Sequence, residues 1–284
     1  MGHINMRFAT APPGARRFTL AGFLAAILAA AVAAQNTAVS PAKEAQADND
    51  YQIGAVLWTQ SAAEARALRY QAFAFARLVF DRDLRVNRRH RRRRAIVVDV
   101  DETVLDNSAY QAELILKRQP YTEASWTEWC ERAEAIAIPG AVDFLRHAAS
   151  RGARIFYVTN RRQNVKEATM RNLKQKGFPD VCEQTVLVRT DASTKEPRRR
   201  QISERYRIVL LMGDNLADFS DIFEGKTTEA RAAAVDETRG KFGAQFVTLP
   251  NPMYGDWESA VYGYDFKLSE EEKAARRKAA LKSP

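Results

Sequence analysis

Three short apolar runs in this chain each stop at a polar cluster, and that pattern limits the fold more than any other feature. Residues 95–98 are followed by Asp99, Val100, Asp101, Glu102 and Thr103. Residues 155–158 are followed by Thr159, Asn160 and Arg161. Residues 208–212 are followed by Gly213, Asp214, Asn215 and then Asp218. A short unbroken apolar run suits a strand buried on both faces. Residues 185–188 and 245–249 read as two further strands. Helical patterns over 141–150, 165–176, 196–206 and 228–240 lie between the strands. Strands alternating with helices predict an α/β fold with a parallel sheet covered on both faces.

In such sheets ligands bind beyond the C-terminal ends of the strands. The three polar clusters therefore converge on one edge, and Lys195 falls between the second and third. Phosphate esters are anions, and bare carboxylates repel them. A divalent cation with oxygen ligands resolves the conflict. One carboxylate can then act as a nucleophile and a second, two residues on, as a proton donor and acceptor. Lys195 and the Thr159 hydroxyl suit the phosphoryl oxygens, where charge collects in transfer. Arg198, Arg199 and Arg200 are alternatives to Lys195, and Asp218 also reads as a helix-start acid.

The ends of the chain read differently. Arg7, Arg16 and Arg17 precede an apolar run at 18–32 that closes on small residues at 33–34. This describes a secretory signal over 1–34. The run is short of the roughly 20 residues of a membrane span, so no stable span is expected after cleavage. Arg16 and Arg17 also hint at twin-arginine export. Residues 35–50 read as a flexible leader, 51–85 as one or two amphipathic helices, and 269–284 as a charged surface helix that frays. The segment 107–139 leaves the strand–helix rhythm and carries Tyr110, Tyr121, Trp126 and Trp129. It reads as an insert over the C-terminal edge of the sheet. Asn107 and Ser108 read as a turn and helix cap.

The formal charge is +9 and falls to +6 without residues 1–34. Arg88, Arg89 and Arg91 to Arg94 account for that remainder, so the basic balance is local. A nucleic-acid binder spreads its cations over a face with aromatics between them, and none is expected here. The run reads as a solvated helix end, or as a patch that attracts anions. Cys130 and Cys182 are candidates for a disulfide in an oxidising compartment. His3, His90 and His147 form no ligand pattern.

Four stretches together carry a resemblance: Asp99-Val-Asp-Glu-Thr-Val-Leu-Asp-Asn107, Tyr157-Val-Thr-Asn-Arg161, Gly213-Asp-Asn-Leu-Ala-Asp-Phe219 and Leu249-Pro-Asn-Pro-Met-Tyr-Gly-Asp-Trp257. The chain resembles the class C, non-specific acid phosphatases of the haloacid dehalogenase superfamily, of the outer-membrane lipoprotein e(P4) type. The resemblance implies a Rossmann-like core over 51–268, with a small helical cap formed by 107–139 and the helices at 51–85. It implies Asp99 as nucleophile and Asp101 as acid and base, with Thr159 and Lys195 completing the catalytic set. It implies Mg²⁺ on Asp99, the Asp101 carbonyl and Asp214, with Asp218 close by. It also implies nucleoside monophosphates or aryl phosphates held by Asn160, Arg161, Tyr110, Trp126 and Tyr254, an acid pH optimum and a homodimer. The chain lacks a lipid-attachment cysteine, so a periplasmic or secreted form is expected. A phosphotransferase on the same fold and a non-catalytic surface-binding protein are the competing readings.

Overall fold

The structure is a computed structural model that describes residues 49–284. The signal segment, and all of the leader except residues 49–50, lie outside the described residues. In chain order the elements are α1 (Ile53–Ser61), α2 (Ala63–Val86), β1 (Arg93–Val98), β2 (Leu105–Asp106), α3 (Ser108–Lys117), α4 (Glu123–Arg132), β3 (Ile136–Ala137), α5 (Ala141–Ser150), β4 (Arg154–Arg162), α6 (Lys166–Gln175), β5 (Val186–Arg189), α7 (Glu196–Arg205), β6 (Tyr206–Gly213), α8 (Thr228–Glu237), β7 (Phe246–Thr248), α9 (Asp256–Ser259) and α10 (Glu270–Ala279).

Five strands form one parallel sheet in the order β5-β4-β1-β6-β7. The chain runs outward from β1 through β4 to β5, then returns to the other side of β1 for β6 and β7. The strand order thus reverses between β1 and β6, where open parallel sheets open a crevice. Side chains alternate across β1. Ile96 and Val98 join a core with α2, α5 and α6, while Ala95 and Val97 join a second core with α7 and α8. Both faces are buried, which is why the strands read as continuous apolar runs.

A register shift between Ala95 and Ile96 leaves Val209 without a partner on β1. Val209 and Leu210 consequently share the first core, and Leu210 and Met212 come into phase with Ile96 and Val98. A slip of one residue would otherwise exchange the two faces of β6.

The insert is tied at its neck. β2 pairs antiparallel with β3, so α3 and α4 rise between them as one excursion. Tyr110 lies at the centre of this cap, against Tyr121, Trp126 and Trp129. Helix α1 packs on α3. Helix α2 does not share that place: it lies on α5, β6 and β7, with Phe73, Ala76 and Phe80 in the first core. The expectation that 51–85 belongs wholly to a cap is corrected accordingly, because the buried aromatic stripe of α2 faces the sheet.

The sequence left a disulfide open and led to the expectation of a C-terminal helix that frays. Cys130 and Cys182 are both free. Cys130 is in the cap, above the C-terminal edge of the sheet. Cys182 precedes β5, at the opposite edge, and contacts Thr185. Burial pushes the Cys130 thiol up to about 12. The C-terminal helix is anchored rather than frayed. Ser269 and Glu272 form a capping box at its start, and Arg277 binds Glu258 at 2.7 Å. Of the arginine run, residues 88–93 are exposed at the N-terminal edge of the sheet, while Arg94 binds Asp83 at 2.7 Å.

Candidate active site

Asp99 is the first residue beyond β1, and its N–H donates to the Met212 carbonyl at 2.9 Å. Asp214 is the first residue beyond β6. The in-phase pairing of Val98 with Met212 therefore sets the two carboxylates side by side at the switch point. Gly213 permits the turn that follows. A Cβ there would lie 2.2 Å from Asp218 Oδ2 and 2.4 Å from Asp218 Cβ, closer than any real contact.

Lys195, just before α7, is buried, as are Asp99 and Asp218, while Asp214 is half-buried. Its Nζ donates to Asp99 Oδ1 and, at 2.6 Å, to Asp218 Oδ1. Asp218 Oδ2 accepts from the Asn215 N–H at 2.9 Å. Asp214 accepts from Thr103 Oγ1 at 3.2 Å and from Asn251 Nδ2 at 2.8 Å. Oxygens of Asp99, Asp214 and Asp218 all lie within 4.8 Å of one another. Burial, followed by repulsion from Asp218, pushes Asp214 up to about 7. Burial likewise raises Asp99, against the lowering effect of Lys195. One buried ammonium thus faces three close carboxylates. Their hard oxygen donors and surplus negative charge fit a small divalent cation such as Mg²⁺.

Asp101 is held from three sides. Its Oδ1 accepts from Asn107 Nδ2 at 2.9 Å and from Arg161 Nε at 3.0 Å and Nη2 at 2.8 Å. Its Oδ2 accepts from Thr159 Oγ1 at 3.3 Å. Arg161 is buried, binds Thr169 and Asn107, and lies 5.3 Å from the centre of the Trp126 ring. The backbone doubles back at Glu102 with φ at +54°, which turns that carboxylate inward. Glu102 then accepts from the Asn107 N–H at 2.8 Å and from the Tyr254 hydroxyl. Burial raises Glu102 well above the ordinary carboxylate range.

These groups face a cavity of about 490 Å³. Asp99, Asp101, Asn160, Arg161, Lys195, Asp214, Asp218, Trp126 and Tyr254 all reach its lining. Asn160 Oδ1 accepts from Arg198 Nη2 at 2.8 Å, and Arg198 also binds the Thr159 carbonyl at 2.6 Å. Two of the residues singled out from sequence stand behind the wall. The Thr159 hydroxyl is spent on Asp101, and Tyr110 is buried with its hydroxyl on Ser125 at 2.9 Å.

Sequence reading missed other contributors. Asn107 does not cap α3 with its side chain. It clamps Asp101 and accepts from Trp129 Nε1 at 2.8 Å. Its place at the end of the first motif was the available signal. Glu102, Thr103 and Asn251 also lie inside the quoted motifs. Tyr51, Glu258 and Glu270 join the cavity wall from far along the chain, and no local pattern marks them.

Residues 19–257 match the family model described as "HAD superfamily, subfamily IIIB (Acid phosphatase)". A solved class C acid phosphatase from Bacillus anthracis superposes with a TM-score of 0.80 at 42% identity, covering 83% of this chain and 98% of that one. "Acid phosphatase 1" of Solanum lycopersicum is 26% identical over 165 residues, 56% of this chain and 57% of that protein. The "Stem 28 kDa glycoprotein" of Glycine max is 24% identical over 202 residues, 69% of each. The chain thus spans little more than half the length of the tomato relative. With the sheet, the carboxylate cluster and the match over most of its length, the chain belongs to subfamily IIIB of the HAD superfamily, the acid phosphatases, a family of phosphomonoester hydrolases.

Proposed function

We propose that this protein hydrolyses phosphate monoesters through a phosphorylated Asp99, with Mg²⁺ as cofactor. The observation that carries the reading is the placing of Asp99, Lys195 and Asp214 at the strand switch point, beside an Asp101 clamped by Arg161 and Asn107.

In this reading an Asp99 oxygen attacks phosphorus and the bond to the leaving oxygen breaks. Asp101, protonated, gives its proton to that oxygen. Asp101 then takes a proton from water as the water attacks phosphorus. The bond to Asp99 breaks, releasing inorganic phosphate and restoring the carboxylate. Lys195 balances charge on Asp99 and on the phosphoryl oxygens. Asp99, Asp214 and the Asp101 carbonyl would hold the Mg²⁺, which neutralises the repulsion between carboxylates and phosphate. Asp218 and Arg199 keep Lys195 in place, since Arg199 binds the Asp218 carbonyl at 2.9 Å. The B. anthracis relative was crystallised with tungstate bound, an oxyanion of phosphate shape, which supports an oxyanion seat here.

The aromatic lining suits leaving alcohols that carry a ring, so aryl phosphates and nucleoside monophosphates are the proposed substrates. Export to the periplasm or medium and a homodimer complete the proposal, on the resemblance of the sequence. No helix among the described residues is long and apolar enough to cross a membrane.

The test compares the wild type with Asp99→Ala on an aryl phosphate at mildly acidic pH, with Mg²⁺ and with chelator. Activity that needs both Asp99 and the metal is expected. A variant as active as the wild type overturns the assignment. Transfer of the phosphoryl group to an added alcohol would mark a phosphotransferase instead.

A further inference from the structure

The C-terminal helix α10 forms part of the catalytic cavity, and one arginine holds it there. Arg277 lies over the Tyr51 ring, 3.9 Å from its centre. Its Nε donates to Glu258 at 2.7 Å, and its Nη2 lies 3.7 Å from Glu270. Lys273, one turn earlier, donates to Glu270 at 2.8 Å and sits 5.8 Å from the Tyr262 ring. Tyr51, Glu258 and Glu270 all line the cavity. Arg277 touches each of them, and its side chain is itself largely buried.

This contact gathers three distant parts of the chain. Tyr51 comes from before α1, Glu258 from α9 and Glu270 from the first turn of α10. The guanidinium covers one face of Tyr51, a stacking that a planar cation provides and an ammonium does not. It also satisfies Glu258, a buried carboxylate that would be costly without a partner. The phosphate end of the cavity is defined by Asp99 and Lys195. The wall built around Arg277 lines the same cavity and adds a ring and carboxylate groups to it. Such a wall favours an alcohol with a flat ring and hydroxyl or amino donors. An alcohol without donors gains nothing from the carboxylates.

We infer that Arg277 is a positioning residue through which α10 sets leaving-group specificity, by holding Tyr51 and Glu258 against the alcohol. The inference rests on reading this cavity as the catalytic one. The test measures kcat/KM for a ribonucleoside 5′-monophosphate and for phenyl phosphate, in the wild type, Arg277→Ala and Arg277→Lys. Arg277→Ala is expected to raise KM for the nucleotide about tenfold with kcat within about twofold, and to change phenyl phosphate less than about threefold. Arg277→Lys is expected to fall between, since it keeps the charge and loses the planar stack. Equal losses on both substrates, or no loss on either, overturn the inference. Calorimetric binding of the free nucleoside needs no turnover, and its affinity is expected to fall about tenfold in Arg277→Ala. If the wild type hydrolyses neither ester, the phosphatase reading fails. The nucleoside titration then decides on α10 alone, an unchanged affinity overturning it.

Discussion

Asn107 donates to Asp101 at 2.9 Å from a position that the sequence assigns to a helix cap. The same side chain accepts from Trp129 and Arg161, so it joins the cap, the first motif and the second motif. Asn107→Ala is expected to lower kcat about 10- to 100-fold with little change in KM, as loss of an orienting partner does. Steady-state kinetics on an aryl phosphate check this. A KM effect of similar size would place Asn107 against the substrate instead.

Lys195 compensates two buried carboxylates at once. Removing it leaves both without their cation, and breaking a buried pair in this way costs about 3–5 kcal/mol. Lys195→Met is expected to be strongly destabilised in chelator and partly restored by Mg²⁺, with turnover lost in both. Thermal unfolding with and without the metal measures the difference.

Asp99→Asn removes one charge from the cluster while keeping its shape. Turnover is expected to vanish, and the metal-free variant is expected to unfold at a temperature equal to or above that of the wild type. The reason is that Asp99 is disfavoured as an anion by burial and by Asp218, Asp214 and Asp101. A marked drop in stability would mean that its pairing with Lys195 outweighs those costs.

Asp214 is pushed from its ordinary 3.8 up to about 7 in the metal-free fold. The folded protein therefore binds more protons than the unfolded chain between those values, and its stability falls as pH rises through that window. Below 3.8 the contribution is fully present, and above about 7 it is lost. A bound cation needs the ionised carboxylate, so metal binding is expected to release protons and to tighten from pH 5 to pH 8. Titration calorimetry in two buffers of different ionisation enthalpy reads the proton release.

Gly213→Ala is expected to abolish activity and to lower stability by about 3 kcal/mol or more, because the new methyl would meet Asp218. Circular dichroism and a melting curve separate a displaced Asp218 from a chain that fails to fold.

The sequence by itself determined the sheet and one edge of the site. Residues 95–98, 155–158 and 208–212 are apolar without interruption because both faces of β1, β4 and β6 are covered. The polar residues after them had to emerge at the C-terminal ends, so Asp99, Thr159 and Asp214 were legible as neighbours. Tertiary structure decided what each side chain does there. Whether Asp214 faces Asp99 depends on the register shift at Val209, which no local pattern announces. The roles of Asn107, Tyr51 and Arg277 depend on contacts outside their own elements: Asn107 with Trp129 and Arg161, 22 and 54 positions away, and Tyr51 and Arg277 with each other. Helix α10 shows the same limit. Its charges marked it as a surface helix, while only the packing of Arg277 between Tyr51 and Glu258 made it a wall of the cavity. Periodicity records which face of an element is buried. It does not record which distant element buries it.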